Sequence, residues 1–238
     1  MKRAIIFGAS SGIGREMAKI LSREGYLLGL AARREDLLKG LREELPGESH
    51  VRVCDIASDD HCEAAFNGFI SDMGGCDLVV ISSGTGFINE ELEWQKEKET
   101  IDVNVTGFAR LAVLAARYFL DRGAGHLVGI SSIGALRGGR DAPAYSASKA
   151  FVSNYLEGLR CRMKRLAPGI TVTDIMPGFV DTAMAKGEGL FWVAPAEVAA
   201  RQICRAIGKK KEKVIITRRW RLVALALKLM PDRLYWRL

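Results

Sequence analysis

Short runs of β-branched and apolar residues recur along the chain, separated by longer stretches in which apolar positions fall every three or four residues. Near-continuous apolar runs mark strands buried on both faces, and the 3.6-residue period marks amphipathic helices. The pattern predicts strands over 3–8, 26–31, 51–54, 78–81, 126–130, 170–175 and 214–217. It predicts helices over 12–23, 34–44, 60–73, 93–121, 145–166 and 195–206. Strand alternating with helix implies a parallel sheet covered on both sides, and right-handed crossovers favour a doubly wound α/β arrangement of about seven strands. No repeat, low-complexity tract or Pro/Gly/Ser linker interrupts the alternation, so residues 1–217 read as one domain and 218–238 as an extension.

Composition sharpens this picture chiefly at the C-terminus. The 238 residues carry 35 Lys+Arg against 28 Asp+Glu, a formal +7. Residues 209–238 hold ten Lys/Arg and two acids, net +8, so residues 1–208 are left at −1. A nearly neutral body argues against a nucleic-acid surface spread over the fold, which needs clustered cations there. With 48% hydrophobic and 26% charged residues the chain is also unlike a disordered one. Five cysteines without a CxxC pair, and three histidines, give a zinc cluster or disulfide framework little to draw on, so no metal is expected. Met1-Lys2-Arg3 is followed by only four apolar residues before Gly8, too few for a signal peptide, and no run approaches the roughly 18 apolar residues of a membrane span. The expected compartment is the cytoplasm.

Candidate chemistry begins where the first strand ends. Gly8-Ala9-Ser10-Ser11-Gly12-Ile13-Gly14 opens directly into a helical segment that starts with Arg15. A strand–glycine turn–helix aims backbone N–H groups and the positive helix end at a pyrophosphate. The second strand then ends in Ala31-Ala32-Arg33-Arg34. An acid there would bond the ribose 2′-hydroxyl of NAD, whereas arginine suits a 2′-phosphate, so NADP(H) is favoured over NAD(H), with Arg15 a possible second cation. Further on, Tyr145 and Lys149 stand four apart at a helix start and share one face. An ammonium beside a phenol would lower the phenol pKa and tune it for proton exchange with a carbonyl or alcohol oxygen. Ser132 follows the fifth strand, at the carboxyl edge where ligands bind open α/β sheets, and can donate to the same oxygen.

Together these residues resemble the short-chain dehydrogenase/reductase family over residues 3 to 217, through Gly8, Gly12, Gly14, Ser132, Tyr145 and Lys149. The resemblance implies a Rossmann-like fold and hydride transfer between a nicotinamide cofactor and a carbonyl or secondary alcohol. It places the proton-relay asparagine at Asn104, the adenine-contacting acid at Asp55 with Ile56 beside it, and the nicotinamide-side segment at Pro177, Gly178, Val180 and Thr182. Ser10, Ser11, Ile13, Ser83 and Gly84 join the cofactor set. The chain departs from the family where Ile81-Ser82-Ser83-Gly84 replaces an Asn-Asn-Ala-Gly run and Phe7 replaces the opening threonine. Apolar residues after the Pro-Gly motif (Met184, Leu190, Phe191, Trp192), together with Phe87, suggest a lid over an apolar or lipid-like substrate. Family members are commonly homodimers or homotetramers. A catalytically idle NADP(H)-binding sensor or scaffold on the same fold is the alternative.

In the extension, Arg218-Arg219-Trp220-Arg221 precedes an apolar stretch that Pro231 should end after about three helical turns. Arginines and tryptophans flanking such a stretch suit either peripheral attachment to a membrane's inner face through 209–238 or burial against the body or a second subunit.

Overall fold

The structure is a computed structural model and describes residues 1–183 and 191–236. Its strands are β1 (Lys2–Phe7), β2 (Tyr26–Ala32), β3 (Ser49–Val53), β4 (Leu78–Ile81), β5 (Gly125–Ile130), β6 (Ile170–Pro177), the two-residue β7 (Val180–Asp181) and β8 (Ala194–Pro195), and β9 (Lys213–Ile216). The helices are α1 (Gly12–Arg23), α2 (Glu35–Glu44), α3 (Asp59–Met73), α4 (Trp94–Ile101), α5 (Phe108–Arg122), α6 (Pro143–Leu166), α7 (Ala196–Gly208), α8 (Trp220–Leu229) and α9 (Asp232–Tyr235). Seven parallel strands make one sheet in the order β3-β2-β1-β4-β5-β6-β9, and β7 pairs only with β8. The strand order reverses between β1 and β4, where Ile5 lies beside Gly29 on one side and Val79 on the other. In such sheets the ligand crevice opens at that switch point, beyond the carboxyl ends of the strands.

The two-residue period of β1 sorts its side chains into two cores. Ala4 and Ile6 pack with Met17 and Leu21 of α1 and Ile203 of α7. Ile5 and Phe7 face the opposite side, with Phe69 of α3, Leu111 of α5 and Leu156 of α6. Each large apolar side chain so buried contributes roughly 1.5–3 kcal/mol. Phe7, the departure from the family's threonine, is completely buried and belongs to this second core.

The expected helix over 93–121 is a continuous helical run interrupted by a π turn, Asp102–Gly107, between α4 and α5. Such an inserted residue is common at functional positions, and this one turns Asn104 inward. By length and composition the run Trp94–Arg122 could cross a membrane, contrary to the sequence reading. One face of it is core, however: Leu111, Ala112, Ala115 and Phe119 are fully buried, whereas Trp94, Ile101 and Val113 are exposed.

The extension docks on the body. Trp220, Val223, Ala224 and Leu227 of α8 turn inward onto Ile133, Leu136, Phe179 and Ile215. Arg137 bonds the Asp232 carboxylate at 2.7 Å and lies over the Tyr235 ring, whose hydroxyl donates to the Gly138 carbonyl.

Candidate active site

At the end of β1 the chain must turn sharply under a ligand. Gly8 and Gly12 adopt left-handed φ values of 87° and 55°, which side chains resist. A Cβ on Gly8 would lie 2.5 Å from the Ser83 nitrogen, and one on Gly14 would lie 2.2 Å from the Gly8 carbonyl oxygen. The turn is thus pressed against the loop after β4 on one side and against its own helix on the other. Thr182 approaches Gly12 from above, its methyl 3.0 Å from where a Cβ would stand. That contact brings the end of the segment from Pro177 to Thr182 up to the glycine turn. Ser82, where the family has asparagine, braces the sheet through its backbone, its N–H donating to the Phe7 carbonyl at 2.8 Å.

Charge is concentrated on the same turn. The Arg34 guanidinium donates to the Ser10 and Ser11 hydroxyls at 3.0 and 2.7 Å, crossing from the end of β2 to the glycine turn. Arg33 is exposed beside it. Arg15 is committed elsewhere, to the Glu44 carboxylate of α2. Asp55 follows β3, its carboxylate accepting from the Ala57 N–H at 3.1 Å, and Ile56 is buried next to it.

The second half of the crevice is made of buried polar groups. Both N–H groups of the Asn104 amide are spent, on the Thr85 carbonyl (2.7 Å) and the Ser148 hydroxyl (2.9 Å), while its oxygen accepts from the Thr85 N–H (2.9 Å). Asn104 therefore clamps the loop after β4 to α6. Any relay water would depend on acceptor capacity left at this residue, since its side chain has no further donor. Ser132 caps the short 3₁₀ turn Ile133–Leu136, its oxygen accepting from the Gly134 N–H. Tyr145 lies on the first turn of α6, begun by Pro143 at a position where the missing N–H costs nothing. Its ring rests where a Cβ on Gly86 would be, 2.5 Å from Cδ2, so Gly86 makes the room.

Lys149 is almost completely buried, donates to the Ile130 carbonyl at 3.1 Å and stands 5.7 Å from the centre of the Tyr145 ring. Burial lowers its pKa to about 8, against the opposing pull of the Asp174 carboxylate. The expectation that Lys149 draws the phenol pKa down is corrected here. Loss of solvation pushes the Tyr145 pKa up, and the lowering influence comes from the Ser132 hydroxyl, which is too weak to win. The ammonium is held by a carbonyl below the ring instead of at the phenol oxygen, so Tyr145 stands as a protonated acid.

Asp174, central in β6 and fully buried, was missed by the sequence reading. It accepts hydrogen bonds from Ser131 at 2.5 Å and Ser153 at 2.7 Å, and Lys213 lies 3.6 Å away. An acid amid the β-branched run Ile170–Ile175 was the available signal. Ser148 and Gly86 were also missed, and neither has a one-dimensional signature.

Of the expected substrate residues, Phe87 is half-buried after Gly86. Met184 and Leu190 lie outside the described residues. Phe191 stacks on Trp220 at 5.1 Å and meets Phe179 edge-on at 5.9 Å, while Trp192 touches both Phe191 and Trp220. They form one aromatic cluster with the first residue of α8. The indole also fills the space beside Gly178, where a Cβ would lie 2.1 Å away. The extension is thus in contact with the nicotinamide-side segment, a connection the charge arithmetic did not reveal.

A doubly wound sheet with this glycine turn and this Ser132–Tyr145–Lys149 corner defines a dinucleotide-dependent oxidoreductase fold, and comparison with known proteins specifies it further. The profile of the short chain dehydrogenase family matches residues 2–190, and the chain belongs to that family of oxidoreductases. It is 37% identical over 189 residues to an oxidoreductase of Myxococcus xanthus, covering 77% of this chain and 74% of that one. To a putative ketoacyl reductase of Streptomyces coelicolor it is 36% identical, covering 76% and 72%. Among solved structures, actinorhodin polyketide ketoreductase with NADPH aligns with a TM-score of 0.82 and 26% identity, over 96% of this chain and 97% of that one. An alcohol dehydrogenase from Thermococcus sibiricus complexed with 5-hydroxy-NADP aligns with a TM-score of 0.80 at 26% identity, over 91% and 96%.

Proposed function

We propose that the protein is an NADP(H)-dependent reductase that converts a ketone on an apolar or lipid-like compound into a secondary alcohol. The observation that carries this reading is the Arg34 guanidinium seated on the Ser10 and Ser11 hydroxyls of the glycine turn, a fixed cation where an NAD enzyme would present an acid. Two similar proteins whose names describe ketone reduction, one of them with NADPH, point the same way.

The turn fits a nicotinamide dinucleotide, because its glycines let the backbone pack tightly and run straight into the N-terminus of α1, whose first turn carries no acid to oppose a pyrophosphate. Gly8 to Gly14 would hold the pyrophosphate, Arg34 and Arg33 the 2′-phosphate, Asp55 and Ile56 the adenine end, and Pro177 to Thr182 the nicotinamide end. When bound, that cofactor supplies the hydride for a carbonyl carbon. Ser132 holds the carbonyl oxygen by a hydrogen bond, and Tyr145, kept protonated by burial, gives its phenolic proton to that oxygen as charge develops on it. Lys149 would bond the nicotinamide ribose, and the Asp174 carboxylate favours its charged form against the burial that opposes it.

The test is nucleotide oxidation with a panel of aliphatic ketones, aromatic ketones and β-ketoacyl thioesters, with NADPH and NADH in parallel. Turnover with NADPH in preference to NADH supports the reading. Binding of NADPH without oxidation across the whole panel would instead leave a nucleotide-sensing or scaffold protein.

A further inference from the structure

Helix α8 is apolar on two sides. Trp220, Val223, Ala224 and Leu227 face the body, while Leu222, Leu225 and Leu229 repeat at the same three- and four-residue spacing on the opposite side and face solvent. With Leu234 and Trp236 beyond Pro231, these outward side chains are 52% to 74% exposed. Phe191, Trp192 and Val193, stacked against Trp220, are 41% to 48% exposed and carry the apolar surface toward the crevice. A soluble monomer seldom presents so continuous an apolar face without a partner.

The charges around this face narrow what covers it. Residues 218–236 contain Arg218, Arg219, Arg221, Lys228 and Arg233, all exposed, and a single acid, Asp232. That acid is already bonded to Arg137. A second copy of the chain meeting this face about a two-fold axis would set one cationic rim against another. A surface of acidic headgroups over hydrocarbon is complementary both to the cations and to the leucines between them. Ten helical residues reach about 15 Å, too short to span a bilayer, so the helix would lie in the interface plane with its cations directed to the headgroups.

We propose that α8 and the segment after it dock the enzyme on an anionic phospholipid surface, with Leu222, Leu225, Leu229 and Trp236 inserted and the mouth of the crevice turned toward the lipid. This docking does not depend on the identity of the cofactor or the substrate. The inward face of α8 stays on the body throughout, so the site is carried to the membrane as one piece with its anchor.

Flotation of the full chain with vesicles of equal parts phosphatidylglycerol and phosphatidylcholine, and with phosphatidylcholine alone, tests it. Binding to the anionic vesicles should exceed binding to the neutral ones about tenfold or more and weaken as salt rises. The double variant Leu225→Glu, Leu229→Glu should lose about tenfold or more of that binding. Its melting temperature and NADPH affinity should match the wild type, because neither leucine touches the core or the crevice. Equal flotation on both vesicle types, or a double variant that floats like the wild type, overturns the proposal. So does light scattering that finds a wild-type oligomer dissolved by the double substitution in a protein that never floats, since the face would then be a subunit interface.

Discussion

Around Gly8 to Gly14 the chain makes room by withholding side chains, whereas around Tyr145 it fills room with buried polar ones. The first region holds its shape because backbone meets backbone: a Cβ on Gly8 or Gly14 has nowhere to go. The second holds its shape because each buried polar group has found a partner: Asn104 with Thr85 and Ser148, Ser131 and Ser153 with Asp174, Lys149 with Ile130. A close-packed backbone tolerates little change but asks nothing of pH. A polar network does, because burying an ammonium opposes folding while serving the chemistry. Perturbation should therefore separate the two regions, with steric substitutions damaging the first and charge substitutions changing the second without unfolding it.

The largest effect belongs to the polar corner. Tyr145→Phe removes the only proton the reading assigns to the ketone oxygen and leaves the ring on Gly86. Turnover should fall about 10³-fold, with NADPH affinity and melting temperature unchanged. A Tyr145→Phe enzyme that kept its kcat would sink the acid assignment. In the glycine turn, Gly14→Ala places a methyl 2.2 Å from the Gly8 carbonyl, so helix α1 must move off β1. A loss of roughly 3 kcal/mol in denaturant unfolding is expected, together with loss of nucleotide binding. A stable Gly14→Ala protein that still binds NADPH would show the turn to be looser than its geometry.

Lys149 makes the pH contrast measurable. Its pKa in the folded protein is about 8, against 10.5 ordinarily. Between these values the unfolded chain holds a proton that the folded one does not, so stability rises with pH across the window and below pH 8 the penalty is constant. The difference amounts to about 3 kcal/mol. Lys149→Met should abolish turnover, leave the protein as stable as the wild type or more so at pH 7, and flatten the rise between pH 8 and 10.5. Urea titrations at several pH values read this directly. A wild type whose stability is flat over that interval would mean that Lys149 is better solvated than its position implies.

This contrast also explains what could be read in one dimension. The sheet, its order of elements and the glycine turn follow from periodicity and from Gly8, Gly12 and Gly14, because each is a local demand on backbone. Tyr145, Lys149 and Ser132 could be found because a family pattern names them. Asp174, Ser148 and Gly86 could not, since their roles consist of partners 21 to 59 positions away in sequence (Ser153 for Asp174, Asn104 for Ser148, Tyr145 for Gly86). The phenol's raised pKa was missed for the same reason: spacing brings Lys149 near Tyr145, but the burial that raises the pKa comes from packing that spacing does not show. Trp220 was hidden by its neighbours. Five exposed cations and a run of leucines mark the extension as a surface element, while the contact of the indole with Gly178 ties it to the crevice.

The smallest effect is expected where the two regions differ least, at the arginines that border the glycine turn. Both arginines are exposed, but Arg34 is held by two serine hydroxyls and would meet a 2′-phosphate already oriented, whereas Arg33 would have to be ordered by it. Losing one charge-assisted contact costs roughly 1.5–3 kcal/mol, or about tenfold and upward in affinity. Arg34→Ala should reduce the preference for NADPH over NADH by about that factor while leaving NADH affinity and melting temperature unchanged. Arg33→Ala should reduce it by less, because an unplaced side chain loses more freedom on binding. Competitive binding of the two reduced nucleotides, measured for both variants, decides the order. If Arg33→Ala produced the larger change, the serine-held guanidinium would be a brace for the turn, and the phosphate would lie on its outer side.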